Sequence, residues 1–192
     1  MVLVIDTSSA RSALALLTAD LEPVAEIVRD SGRDFDVAQQ AEALLAGAEP
    51  TAIAVARGPG SFTGLRSGAA YAVGLAMGLD VRLRPFGGLE LQRARSAVPA
   101  TAVIDAGRGR VYFLGQDGRR GIAEPGAVPS GAPLVGWLRP ATAAGLRAAG
   151  AVLIDDAELL TFASAAAATV AQSPEIACDS LTVEYMQSGM LR

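Results

Sequence analysis

The chain opens on three short apolar runs separated by polar turns. Residues 2–6, 12–18 and 24–29 carry the runs, and Asp6-Thr7-Ser8-Ser9-Ala10-Arg11 and Ala19-Asp20-Leu21-Glu22-Pro23 carry the turns. Short runs bounded by turn formers predict a β-meander. The period then changes. Across residues 36–47, Val37, Ala41, Leu44 and Leu45 share one helical face, and Gly47 marks a stop. Residues 51–56 are continuously apolar, the pattern of a strand buried on both faces. A helix over 62–78 and a strand over 81–85 follow. Strands alternating with helices predict an α/β layered fold.

The second half echoes the first. Val4-Ile5-Asp6-Thr7 has a counterpart in Val103-Ile104-Asp105-Ala106, and each is followed by a polar turn and another apolar strand, over 13–17 and 111–114. A strand ending in Asp and folding back as a hairpin, once per half, is the layout of the actin/Hsp70/sugar-kinase class, in which two lobes face a cleft. The expected division is a first lobe over 1–99 and a reduced second lobe with the tail over 100–192. Within the second lobe the pattern predicts loop over 121–133, a helix over 140–149, a strand over 151–154 and a helix over 156–172.

Between the strand over 51–56 and its helix lies Gly58-Pro59-Gly60-Ser61-Phe62-Thr63-Gly64-Leu65-Arg66-Ser67-Gly68. A Gly-rich strand-to-helix turn gathers backbone N–H groups where anions bind. It lacks the Gly-Lys-Ser/Thr ending of a P-loop and the glycine spacing of a dinucleotide fingerprint, so a tight strand-helix connection is the alternative.

Composition narrows the chemistry. The chain has no histidine and no lysine, which excludes a Ser-His-Asp triad, a His-ligated metal and a Schiff base. The single cysteine, Cys178, excludes an internal disulfide, and the opening shows no signal-peptide pattern, so a cytoplasmic protein is expected. At 51% hydrophobic residues and mean hydropathy +0.36 the chain can bury a real core. Its uncharged stretches are too short, or too broken by proline, to span a bilayer. A net charge of −4 and a pI near 4.9 argue against a protein that grips nucleic acid by itself.

Three blocks, Leu3-Val4-Ile5-Asp6-Thr7-Ser8, Gly58-Pro59-Gly60-Ser61-Phe62-Thr63-Gly64-Leu65-Arg66 and Ile104-Asp105-Ala106-Gly107-Arg108-Gly109-Arg110-Val111-Tyr112, resemble the bacterial TsaB (YeaZ) family in residues, order and spacing. The resemblance anchors residues 1–115. It implies the two-lobed actin-like fold and a non-catalytic dimerisation and scaffold subunit in making threonylcarbamoyladenosine beside the anticodon of tRNA. The implied partners are a TsaD-like transferase subunit, a TsaE-like ATPase, and tRNA through the complex, with a homodimer when the chain is alone. ATP and metal are expected in the partner subunits and none on this chain. The ending Tyr185-Met186-Gln187-Ser188-Gly189-Met190-Leu191-Arg192 departs from the family's Pro-x-Tyr-Leu-Arg. The alternative is an ATP-dependent enzyme or protease of the same superfamily, working through a carboxylate base.

Asp6, Thr7, Ser8 and Asp105 are the phosphate-loop candidates. Each Asp is either a nucleotide or metal ligand or a cap on its hairpin turn, and the absence of Gly after Asp6 weakens the first reading. Arg66 is expected in a structural or interface ion pair. Gly64, Gly68, Ala72 and Ala76 recur every fourth residue, a smooth stripe on which another helix can lie. With the flanking Tyr71 and Leu75, this stripe is the expected partner interface.

Overall fold

The computed structural model describes residues 1–32, 34–129 and 131–185. The divergent ending, residues 186–192, lies outside them. The first sheet has the order β3 (Pro23–Asp30), β2 (Arg11–Leu17), β1 (Val2–Asp6), β4 (Ala52–Gly58), β5 (Arg82–Gly87). The meander β1–β2–β3 is antiparallel, while β4 and β5 join parallel to β1.

Both faces of this sheet are covered, which is why β1 and β4 read as unbroken apolar runs. Leu3, Ile5, Leu14, Ile53, Val55 and Leu83 point to helices α1 (Val37–Leu45) and α2 (Phe62–Leu79). Val2, Val4, Ala13, Ala15, Ala52 and Ala54 point the other way, to helix α5 (Phe162–Val170). Both early helices are capped as their sequences dictate. Asp36 accepts from the backbone N–H groups of Ala38 and Gln39, and Ser61 accepts from that of Gly64.

The second sheet repeats the plan with fewer parts. Its order is β8 (Arg120–Ala123), β7 (Arg110–Leu114), β6 (Thr101–Gly107), β9 (Leu134–Val135). As in the first sheet, the leading strand pairs antiparallel with the next and parallel with a strand from beyond the meander. A 3-10 turn over Pro125–Ala127 stands where α1 stands in the first half, and α4 (Pro140–Ala148) stands where α2 does. A lone parallel bridge between Leu134 and Leu153 replaces a fifth strand. Helix α3 (Gly88–Ala94), which follows the first sheet, packs Leu89 into the second, beside Ala102 and Ile104. Helix α5, which follows the second, packs Phe162, Ala163 and Ala166 on the first. This exchange of helices ties the two sheets together. The mixed α/β fold with a reduced second sheet is the actin-like architecture expected from sequence.

Three local expectations change, and one helix is new. Residues 120–123 form the edge strand β8 instead of loop, pairing Tyr112 with Ile122 and Phe113 with Gly121. The strand expected over 151–154 shrinks to the single bridge at Leu153. The helix expected over 156–172 breaks into a 3-10 turn, Asp156–Glu158, and α5, because Thr161 caps a fresh helix start at Ser164 N–H. Helix α3 has no expectation behind it: its two leading glycines mask a short helix whose burial comes from tertiary packing.

Candidate functional site

The end of β1 delivers Asp6 into a fully buried position. Its Oδ1 accepts from the Ser8 N–H at 2.8 Å and from Ser8 Oγ at 2.6 Å, while Oδ2 is buried with no hydrogen-bond partner among the described residues. Burial pushes the carboxyl above its ordinary range, opposed by the two bonds from Ser8. The turn therefore closes on itself: the Ser8 amide and hydroxyl both face the Asp6 carboxyl, not the cleft.

The Gly-rich segment packs directly on this turn. Ser61 N–H donates to Ser8 O at 2.7 Å, and Thr7 Oγ1 donates to Gly64 O at 2.7 Å. A Cβ at Gly60 would collide with the Ser8 carbonyl, one at Gly64 with the Thr7 carbonyl, and one at Gly68 with Thr7 Oγ1. The glycines thus let helix α2 approach the Asp6 turn at backbone distance.

Asp105 sits near the end of β6, in the equivalent place. Its Oδ2 accepts from the backbone N–H of Arg139, the N-cap residue of α4. The following turn, Gly107-Arg108-Gly109, has positive φ at all three residues. A crevice of about 530 Å³ lies between the turns, lined by Ser8, Ser9, Ser61, Asp105, Arg108 and Arg139 among others. Thr7 lines a neighbouring crevice, and Asp6 lines neither. The fold thus brings Ser8 and Asp105 to one cavity, with Asp6 buried behind it. In the first turn both Ser8 donors are spent on Asp6, while at the crevice wall the Asp105 carboxylate stands with Arg108 and Arg139.

The small-residue stripe of α2 faces inward. Gly68, Ala72 and Ala76 are buried, with Ala72 and Ala76 in the core against β1 and β4, and Gly64 lies on Thr7. Tyr71 and Leu75 are half-buried beside the same core. Burial, with the negative charges of Asp36 and Glu42 adding to it, raises the Tyr71 phenol. The stripe is thus occupied by the chain's own sheet, and the side of α2 left open is Thr63, Ser67, Ala70, Gly74 and Met77, all exposed.

Comparison with known proteins adds lineage. Residues 39–125 match the family model described as TsaD, tRNA N6-adenosine threonylcarbamoyltransferase. A curated relative from Haemophilus influenzae, the tRNA threonylcarbamoyladenosine biosynthesis protein TsaB, is 46% identical over 70 residues. That match covers 32% of this chain and 28% of the relative's length. The solved YeaZ from Pseudomonas aeruginosa superposes with a TM-score of 0.72 at 20% identity, covering 96% of this chain and 99% of that one. A second solved protein, described as similar to peptidase YEAZ from Pseudomonas aeruginosa, gives 0.68 at 22% identity, covering 97% of this chain and 99% of that one. The chain is similar to TsaB over 70 residues and shares the fold of YeaZ along its length.

Two parts of the chain were not legible in sequence. The first is the approach to the ending. Ile176 pairs with Leu83 on the edge of the first sheet, and Glu184 N–H donates to Arg57 O at 2.6 Å. Tyr185 then packs on Phe62, with ring centroids 5.4 Å apart. Arg66 lies over Phe62 at 4.0 Å and donates from Nε to the Tyr185 hydroxyl at 3.4 Å. Among the described residues Arg66 is held by the Phe62 ring and the Tyr185 hydroxyl, and no acid of the described chain pairs with it.

The second is a node at Asp156. Its Oδ2 accepts from Arg11 at 2.6 Å, and its Oδ1 accepts from Arg95 at 2.5 Å and from Trp137 Nε1 at 3.2 Å. The Arg95 guanidinium also lies 4.4 Å from the centre of the Trp137 ring. Arg11 comes from β2, Arg95 from the end of α3 and Trp137 from just beyond β9, so the node joins the two sheets. Burial raises the Asp156 carboxyl, but the two arginines outweigh it and hold the group below its ordinary value. Nothing in the local sequence pairs residues this far apart.

Proposed function

We propose that this chain is a non-catalytic subunit in the biosynthesis of threonylcarbamoyladenosine on tRNA. It associates with a TsaD-like transferase subunit, helps recruit a TsaE-like ATPase, and pairs with a second copy when no partner is present. The lobes over 1–99 and 100–192 act as one cytoplasmic scaffold. ATP and metal belong to the partner subunits. The observation that carries this reading is the state of the cleft acids: Asp6 is engaged by Ser8, and Asp105 by the Arg139 backbone. Asp6 lies behind the crevice wall and does not line it, and Asp105 is fixed at that wall by a backbone donor. The TsaB/YeaZ likeness supports the same assignment. No helix among the described residues is long and apolar enough to cross a membrane, which is compatible with it.

The open side of α2, from Thr63 to Met77, takes over the partner-facing role that the sequence suggested for the inward stripe. An apolar and small helical surface accepts another helix at close range. Pull-down with the TsaD-like protein of the same genome tests this. Ala70→Arg, an exposed position, should fold with an unchanged thermal transition and lose capture by at least about tenfold. Full capture by Ala70→Arg would remove α2 as the interface. The pure chain should turn over neither ATP nor peptide. Steady ATP hydrolysis that disappears in Asp6→Ala would instead favour an ATP-dependent enzyme.

A further inference from the structure

The mean charge of the chain conceals an asymmetry. Residues 101–154 hold six arginines against three acidic residues, while the rest of the chain holds ten arginines against seventeen. The second lobe is therefore a basic body on an acidic protein. Two arginines close together in the β6–β7 turn are too few for a nucleic-acid surface, but the fold adds others to them. Arg108 and Arg139 line the crevice of about 530 Å³. Arg139 and Arg147 line an adjoining one of about 640 Å³, so the three form a continuous edge.

All three are exposed, and their side chains form no hydrogen bond or ion pair with any described residue. Their acidic neighbours are committed elsewhere. Asp105 accepts from the Arg139 backbone, Asp155 caps Ala157, Asp156 holds Arg11 and Arg95, and Asp30 lies 3.8 Å from Arg11. Arg119 and Arg120 are matched by Asp117 and Glu90. The uncompensated charge of this lobe is thus gathered on one edge, with the N-terminal end of α4 beside it.

We propose that the edge formed by Arg108, Arg139 and Arg147 contacts the phosphate backbone of RNA. The choice of RNA over other polyanions rests on the tRNA-modification reading above. Guanidinium groups with no internal acid, spread along an open edge, suit a chain of phosphates that can occupy several of them in turn. With few contacts and an acidic remainder, the affinity is low and strongly salt-dependent, as suits a subunit that orients RNA for a partner.

The test is fluorescence anisotropy of the full chain with a labelled RNA stem-loop, together with amide NMR mapping. Three phosphate contacts give a log–log salt slope of about −2.1 to −2.7, a loss of about twentyfold to fortyfold in affinity between about 50 and 200 mM salt. Amide shifts should concentrate at 105–110 and 139–147. The triple variant Arg108→Glu, Arg139→Glu, Arg147→Glu should keep its thermal transition and lose binding at every salt concentration. Each single variant should lower the slope by about one. Three results would overturn the proposal: equal binding by the triple variant; inorganic triphosphate bound at these arginines with no stem-loop binding; or self-association of the chain relieved by the triple variant with no RNA binding. Partner capture by the triple variant is measured in parallel. RNA binding unchanged in the triple variant with capture lost only in Ala70→Arg overturns this proposal and leaves the scaffold reading standing; RNA binding lost in the triple variant with its capture intact supports both.

Discussion

Replacing Asp156 with Ala should cost this protein much of its stability. The substitution removes the carboxylate that three side chains share. Arg95 suffers most: its side chain is only 4% exposed and lies 2.5 Å from Asp156 Oδ1. Stranding one member of a buried pair costs about 3–5 kcal/mol. Arg95 keeps bonds to Gln92 Oε1 and Leu160 O and its place over Trp137, and the Asp156 side chain is 46% exposed. Both points argue for a smaller loss, about 2–3 kcal/mol. Arg11 is exposed enough that its share is about 0.2–1 kcal/mol. Water can replace the acceptor lost by Trp137, so that bond adds little. The total is about 3 kcal/mol. For a chain of this size it lowers Tm by about 6–12 °C. Urea denaturation of the parent, Asp156→Ala, Arg95→Met and the double variant is the assay. The double variant should be more stable than the sum of the single losses predicts, because it leaves no stranded charge. Asp156→Ala within about 0.5 kcal/mol of the parent, or additive losses, would refute the reasoning.

Glycine position decides the sign of two further substitutions. Gly64→Ala drives a Cβ into the Thr7 carbonyl and should cost about 2–3 kcal/mol, while Gly74→Ala points into open space on an exposed helix and should gain about 0.5–1 kcal/mol. Thermal unfolding of both variants checks this, and a stable Gly64→Ala would contradict the packing described for the Asp6 turn. Burial raises the Asp6 carboxyl above its ordinary range, so its contribution to stability is fullest at low pH and is lost as pH rises through the folded value. Asp6→Asn keeps an acceptor for Ser8 without a charge, and its Tm relative to the parent should rise from about pH 4 to about pH 8; an unchanged difference would contradict it. Asp156 has the opposite sign: its contribution is present above the ordinary carboxylate range and lost as pH falls through the lowered folded value, so Asp156→Ala should flatten the acid limb of the parent's stability curve.

Much of the first sheet could be read from periodicity alone. The meander, the buried strand over Ala52–Gly58 and helix α2 follow from local pattern, and the Asp6 and Asp105 hairpins follow from the internal echo. The reading fails where stability comes from distant contact. Strand β8 opens on Arg120 and Gly121, neither a strand former, and forms because β7 supplies its partners. Helix α3 forms under the second sheet despite its leading glycines. The direction of the α2 stripe could not be read either, since periodicity tells which residues share a face but not what that face meets. The glycines of the stripe were legible as close-approach residues, and the approach is to Thr7 instead of a partner. The Asp156 node unites residues 11, 95, 137 and 156, a juxtaposition that exists only once helices α3 and α5 have exchanged sheets.

Reconstitution of the modification tests the central claim most directly. The TsaD-like transferase subunit, the TsaE-like ATPase and an enzyme supplying threonylcarbamoyl-adenylate are incubated with unmodified tRNA, with and without this chain, and the modified nucleoside is quantified by mass spectrometry. The account predicts that threonylcarbamoyladenosine forms only when the chain is present, that Asp6→Asn supports formation as well as the parent, and that Ala70→Arg does not. Full modification without the chain, or modification that requires the Asp6 carboxylate, would contradict it.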